Sequence, residues 1–150
     1  MKMKINLLLS LSVSFFLACS AGKSTNLTQK SSSDNTSIWG IEWKLVSVKS
    51  PNSTTFITPD KRIPTLTFSA DGKSVSGNAG CNRYSGKVTW AGNQMTFGNL
   101  ISTRMFCLEG MEMETAVFSV LQGTLQYELS NEKLILKKGN NAMATFERSR

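Results

Sequence analysis

The chain has 150 residues, 40% of them apolar, and a formal net charge of +7 at pH 7, which suits one globular domain. It contains no histidine, so catalytic triads and metal sites that need an imidazole are excluded. Cys81 and Cys107 alone are too few for a four-ligand zinc site, and no glycine-rich phosphate loop followed by Lys-Ser or Lys-Thr occurs. These absences count against most hydrolases, and we expect no metal and no cofactor.

The N-terminal residues have the pattern of a bacterial export signal. Two lysines precede an apolar run from Ile5 to Leu17, which is shorter than the about 20 apolar residues of a membrane-spanning helix. The run ends in Phe16-Leu17-Ala18-Cys19, which resembles a lipobox with Phe16 in place of the usual leucine. We therefore predict that residues 1–18 are a lipoprotein signal peptide and that Cys19 is lipidated. The alternative is an ordinary signal peptide with an incidental Cys19.

The next segment, residues 19–37, is rich in Ser, Thr, Asn, Lys and Gln and has almost no apolar side chains. Such a composition cannot bury enough surface to offset the entropy of ordering it, so we predict a flexible tether. Ser20 follows the predicted lipidation site directly, which in enterobacterial sorting permits delivery to the outer membrane. The expected location is the cell envelope, with a lipid anchor and most simply the outer membrane.

Removal of residues 1–18 takes away two of the 17 basic residues. The remaining 15 basic and 10 acidic residues give the mature chain a net charge of +5. The remaining basic residues are scattered along the chain, which is typical of a solvated surface. Attraction to anionic lipid headgroups is the functional alternative. Nucleic acid is not an expected partner, because the sequence shows no stacking platform and the chain has an export signal.

Cys81 and Cys107 are the two cysteines other than the predicted lipidation site Cys19, and they lie 26 residues apart. In an exported chain, two such thiols predict one disulfide. The bond would close a loop and stabilise the fold by roughly 3 kcal/mol. We expect the rest of the mature chain to form a β-rich shell around this link.

Alternating apolar residues and tight turns predict a mainly β (α+β) fold. In the opening strand, Trp43, Leu45 and Ser47 would face one side, whereas residues 49–64 would form a loop with little regular structure. Further short strands are separated by hairpin turns, and residues 100–107 would return to the core. The pattern favours about eight antiparallel strands in a curled meander or cracked β-barrel. The other predicted strands are 65–68, 73–78, 87–90, 94–97, 125–129, 133–138 and 142–147.

One amphipathic helix is predicted over Glu109–Gln122. Its apolar residues recur at helical spacing, with acidic side chains in the first turns and Gly123 after the last. This face most simply packs against the sheet. The predicted apolar stripe consists of Met113, Ala116, Val117, Val120 and Leu121.

The block Gly77-Asn-Ala-Gly-Cys-Asn-Arg-Tyr-Ser-Gly86, followed by Ser102-Thr-Arg-Met-Phe-Cys107, resembles the META domain of HslJ-like envelope proteins. The resemblance extends from residue 41 to 148 and assigns residues 38–150 to that domain. It implies a small cracked β-barrel with one helix, and a role in stress or antibiotic tolerance. META domains also resemble pilotin lipoproteins, which escort secretin subunits and hold an apolar ligand in a barrel cleft.

The family-like blocks supply the candidate binding residues, which would form a rim: Asn82, Arg83, Tyr84, Thr103 and Arg104. The structural alternative is that these side chains only shape turns and pack the barrel mouth. Arg104, if inward, would need a carboxylate partner such as Glu112 or Glu114.

These features predict a non-catalytic lipoprotein that binds an envelope protein, a peptide or an amphiphile. One alternative is an enzyme that uses Glu112 with Glu114, or Asp71 with Glu128, as acid and base. The first pair is disfavoured because residues two apart on a helix face different directions. An inhibitor of an extracellular enzyme is the other alternative.

Overall fold

The computed structural model describes residues 37–52, 54–57, 62–130 and 132–150. The predicted signal peptide, the predicted lipidation at Cys19 and nearly all of the predicted tether lie outside these residues. Within the described part of the chain, no helix combines the length and the apolar character needed to cross a bilayer.

The described residues form ten strands and one helix. The helix, α1, runs over Met111–Val120 and follows the first seven strands in the chain. The strands in chain order are β1 Glu42–Lys49, β2 Thr55–Ile57, β3 Thr65–Phe68, β4 Ser74–Asn78, β5 Arg83–Ala91, β6 Gln94–Phe97, β7 Ile101–Ser102, β8 Gly123–Leu129, β9 Lys133–Lys138 and β10 Asn141–Arg148.

Eight of these strands form a closed antiparallel barrel. The order around it is β1, β3, β4, β5, β6, β8, β9 and β10, and the first and last strands pair from Trp43 opposite Arg148 to Val48 opposite Ala144. Closure leaves no free sheet edge among these eight strands. The short β2 and β7 pair with β1 and β5, respectively. The predicted small β-barrel with one packed helix is confirmed.

The first strand departs from the simple alternation predicted for it. Trp43 and Leu45 face the core as expected, but the pairing register with β10 shifts between Leu45 and Ser47. A β-bulge inserts one extra residue and changes which side chains face inward. Val48 is therefore buried instead of Ser47.

Two other segments differ from the structure predicted for them. The segment 49–64 contains β2, whose Phe56 pairs opposite Val48 of β1. In the segment 100–107, which we expected to return to the core, Leu100 packs against the core, but residues 101–106 lie on the surface: Ile101 is 72% exposed and Phe106 is 80% exposed. Its apolar composition was compatible with both locations.

Side chains fill the inside of the barrel. Inward-facing residues of every strand of the barrel meet there, because successive side chains of a strand point to opposite faces. Barrels of about eight strands have just enough room for such packing. The largest fully buried side chains include Trp43, Leu45, Leu66, Phe68, Met95, Leu134, Leu136 and Phe146.

The helix is shorter than the predicted 109–122 but buries the predicted stripe, including Leu121 directly after its last residue. Gly110 precedes it with φ of 95°, a left-handed conformation that favours glycine. The helix packs against β1 and β10. Glu112 and Glu114 occupy its first turn, where the helix dipole favours negative charge.

The two ends of the barrel differ in their side chains. The β3–β4 turn lies at one end and the β4–β5 corner at the other, because β4 runs from one end to the other. At one of them, which we call the aromatic end, the Trp90 indole donates a hydrogen bond to the Gly72 carbonyl (2.7 Å), and its ring contacts Trp39, Phe68 and Tyr127 edge-on. At the other, the helix end, the β4–β5 corner Ala79–Asn82 meets α1 and the segment Thr103–Gly110.

Candidate functional site

Cys81 and Cys107 form a disulfide at the helix end, as predicted, with their Cα atoms 6.0 Å apart. The bond joins the β4–β5 corner to the segment that leads into the helix. It therefore fixes a surface segment that has almost no regular secondary structure of its own.

Asn82 strengthens the same junction from the inside. Its side chain is 2% exposed, and its Oδ1 atom accepts hydrogen bonds from the Thr103 hydroxyl and the Met105 amide, both at 2.7 Å. Its Nδ2 group donates to the Met105 carbonyl (3.1 Å) and to Glu114 Oε1 (3.0 Å). The backbone N–H of Asn82 also donates a hydrogen bond to Glu114 Oε2 (2.8 Å). One buried side chain thus links the β4–β5 corner of the barrel, the segment Thr103–Gly110 and α1.

Tyr84 lies inside the barrel directly opposite Gly77 of β4. A β-carbon at Gly77 would overlap the Thr65 carbonyl oxygen and lie 2.8 Å from Tyr84 Oη, so only glycine leaves room for the tyrosine. The Tyr84 hydroxyl donates a hydrogen bond to that carbonyl (2.9 Å), and its ring contacts Phe118 of α1 edge-on. Burial raises the pKa of the Tyr84 phenol well above its usual value of 10.0.

The structure divides the five predicted rim residues. Asn82 and Tyr84 are buried and bonded internally, so these two do not present a binding surface. Arg83, Thr103 and Arg104 are exposed. Arg104 therefore needs no buried carboxylate partner, and Glu114 bonds to Asn82 instead.

The most exposed large apolar side chains of the described residues lie in the same region. Phe106 is 80% exposed and Leu108 is 93% exposed, on either side of the disulfide cysteine. Ile101, Met105 and Met111 are exposed by 72%, 58% and 40%. These five residues extend from β7 to the first residue of α1, and we call them the apolar loop. The sequence signal for it was the run Met105-Phe106-Cys107-Leu108, which lacks strand alternation.

Two open clefts, each of about 590 Å³, flank this region. One lies beside α1 and is lined partly by Leu100, Phe118 and Leu121. The other lies on the outer wall between Arg62 and Arg83, and most of its lining residues are of polar types. Among the described residues, no cluster of three or more His, Cys, Asp or Glu side chains could hold a metal ion.

The carboxylates considered for catalysis are held by different groups. Asp71 accepts hydrogen bonds from the Ser69 hydroxyl (2.6 Å) and the Lys73 amide (3.1 Å) within a turn, which lowers its pKa. Glu128 pairs with Lys137 of the next strand at 2.6 Å. Glu112 is exposed on the helix, and the Glu114 carboxylate faces Asn82. These contacts give neither predicted pair the shared, desolvated pocket that acid–base catalysis needs.

Comparisons with known proteins agree with the fold. None of the curated proteins matches the chain. An NMR structure of a protein from Burkholderia xenovorans is 29% identical with a TM-score of 0.60, over 75% of this chain and 83% of that chain. A second NMR structure, 24% identical with a TM-score of 0.54 over 71% and 87% of the two chains, shares the fold. The sequence model of the META domain matches residues 36–150. The protein therefore belongs to the META domain family.

Proposed function

We propose that this protein is a lipid-anchored, non-catalytic protein of the cell envelope that binds with the helix end of its barrel. The observation that carries the proposal is the apolar loop. Phe106 and Leu108 expose nearly all of their side chains, so they add little to the core. Large exposed apolar side chains that are concentrated in one short stretch of chain are typical of a binding surface.

The groups beneath the loop support this role. The disulfide and the Asn82 amide hold the loop backbone at Cys107 and Met105. A loop that is already ordered loses less entropy on binding than a free one. The arrangement therefore presents apolar side chains at a fixed place with a small ordering cost.

The classes of ligand proposed are an envelope protein, a peptide or an amphiphile. Because side chains fill the barrel, an amphiphile would bind on the outside, next to the helix end, and not in a central cavity. The lipobox-like segment ending in Cys19 supports a membrane anchor. The resemblance to HslJ supports a contribution to stress or antibiotic tolerance.

The test combines anchoring and binding in the native host. In cells fed labelled palmitate, we expect the wild-type protein to be labelled and found in the membrane fraction, and Cys19→Ser to be unlabelled.

The second experiment tests binding. A deletion strain should lose tolerance to heat or to hydrophobic antibiotics, and the double variant Phe106→Ser with Leu108→Ser should restore this tolerance less well than the wild-type protein. Thr89→Ser, at an exposed position on the wall of β5, is the matched control.

An unlabelled wild-type protein in the soluble fraction would contradict the anchor. Full restoration of tolerance by the double variant would contradict the role of the apolar loop. Circular dichroism of the double variant establishes that any loss of function occurs in a folded protein.

A further inference from the structure

We infer that the apolar loop docks on a lipid bilayer and inserts Phe106 and Leu108 at the boundary between headgroups and acyl chains. This inference rests on the proposed function and specifies its ligand. The loop would then be a second membrane contact, in addition to the acyl chains expected on Cys19.

The shape of the loop favours a lipid surface. Phe106 and Leu108 are 80% and 93% exposed and line neither of the two clefts described above, so they project from the protein. A protein partner would need a preformed pocket of matching shape, because protein interfaces are closely packed. A bilayer is fluid and conforms to projecting side chains.

The size of the apolar loop is sufficient for a membrane contact. Ile101, Phe106 and Leu108 are 72%, 80% and 93% exposed. Each CH₂ group that leaves water lowers the free energy of the bound state, so a few such side chains already favour insertion at the acyl boundary.

Charges of both signs lie beside the loop. Arg62, Arg83 and Arg104 are exposed at or beside the helix end, and Glu109 and Glu112 are exposed there as well. Glu114 adds a third carboxylate, held by Asn82. Because carboxylates accompany these arginines, insertion should be driven mainly by the apolar side chains and should depend less on anionic lipid and on salt than binding by a polybasic surface does. The binding of a polybasic surface weakens strongly as salt increases.

The anchor and the loop can reach the same membrane. The 18 residues from Ser20 to Ser37 would span at most roughly 60 Å. The longest strand, β5, has nine residues and a length of about 30 Å. A tethered domain has a high effective concentration at the bilayer, so a weak second contact is sufficient to orient it.

The first test uses the mature chain from residue 19 with Cys19→Ser, which removes the acyl group. We expect it to float with phosphatidylcholine vesicles, and to a similar extent when phosphatidylglycerol is added. Phe106→Ser with Leu108→Ser should weaken binding by at least about tenfold, because two large apolar side chains no longer insert. Thr89→Ser should bind as the parent does. Equal binding of parent and double variant would overturn the inference.

The second test keeps the anchor, so that even weak insertion is detected. The acylated mature protein is reconstituted in vesicles whose acyl chains are brominated and quench tryptophan fluorescence on contact. Phe106→Trp should be quenched more than the native tryptophans alone, and Thr89→Trp should not. Equal quenching of the two variants would overturn lipid insertion.

The two proposals fail in distinguishable ways. If the loop is not quenched but Phe106→Ser with Leu108→Ser still fails to restore tolerance, the loop binds a protein partner and only the lipid inference is wrong. If the cellular protein is not acylated, the anchor proposal is wrong, whereas vesicle binding by the unacylated chain would still support the loop.

Discussion

At the scale of single residues, Asn82 shows how a motif residue can serve the site without touching a ligand. Its side-chain amide makes four hydrogen bonds, two to Met105 and one each to Thr103 and Glu114. An asparagine has two donors and two acceptor lone pairs, so this set uses its full capacity. Few other side chains of this size could replace it.

We therefore expect Asn82→Ala to lower the free energy of unfolding by about 2–3 kcal/mol, because Glu114 and the Met105 backbone lose buried partners. Urea unfolding followed by circular dichroism measures the change. Ser102→Ala, at an exposed position on β7, should stay within about 0.5 kcal/mol of the wild type. Equal stability of Asn82→Ala and Ser102→Ala would show that the network is dispensable.

Tyr84 gives a prediction about alkaline pH. Burial raises the pKa of its phenol above the unfolded value, so the folded state holds a proton that the unfolded state releases above about pH 10. The stability due to neutral Tyr84 is complete below that pH and decreases as the pH rises further. Tyr84→Phe should show a smaller loss of stability between pH 9 and 11, a range of about one unit on either side of the unfolded pKa.

The measurement is chemical denaturation at each pH, which gives the slope of unfolding free energy against pH. Lysine titration affects both proteins equally, so the difference between them isolates Tyr84. Tyr127→Phe, at the aromatic end, is the matched control. An identical slope for Tyr84→Phe and the wild type would contradict the assignment.

At the scale of elements, the surface segment after β7 depends on links to its neighbours. It lies between β7 and α1, and β7 contributes only two residues of pairing to the sheet. The disulfide at Cys107 and the hydrogen bonds at Met105 hold it instead. This arrangement explains how Phe106 and Leu108 can remain exposed without the loop collapsing onto the barrel.

Loss of the disulfide should lower the free energy of unfolding by about 3 kcal/mol, since the bond closes a loop with a sequence separation of 26. The change can be measured by urea unfolding with and without a reducing agent. Cys81→Ala with Cys107→Ala should be less stable and insensitive to the reducing agent. Alkylation of both cysteines in the denatured, unreduced protein would show that the bond is not formed.

At the scale of the whole molecule, the barrel closes only when its last strand, β10, is in place. β10 pairs with β9 on one side and with β1 on the other, so the last strand joins the first across most of the domain's length. The buried residues Ala144 and Phe146 of β10 also belong to the core. Closure therefore depends on pairing between residues far apart in sequence.

A chain that ends at Gly139 should fail to fold, because β1 and β9 would have unpaired edges and the core would lose Phe146. We expect poor dispersion in the NMR spectrum and no cooperative thermal transition. A chain that ends at Arg148 keeps all of β10 and should remain folded. A cooperative transition in the shorter chain would contradict this account.

The sequence by itself determined the local and periodic features. Alternation in the strands and the 3.6-residue spacing of Met113, Ala116 and Val120 depend only on neighbouring residues, so the strands and the helix could be predicted. The cysteine pair and the family-like blocks likewise indicated the disulfide and the META domain. The bulge in β1 and the short β2 escaped prediction, because pairing with distant strands selects them.

The candidate site was decided by tertiary structure. The sequence left two roles open for Asn82 and Tyr84, a binding rim or the packing of a turn and the barrel mouth. Their partners at Glu114, Thr65 and Phe118 come from other elements and bury them, which decides for packing. The run Met105-Phe106-Cys107-Leu108 has a composition suited equally to a core or to an exposed loop. Only the packing of the helix and barrel, which leaves no interior space for it, places this run on the surface. The physical reason is that burial depends on which distant side chains already occupy the core.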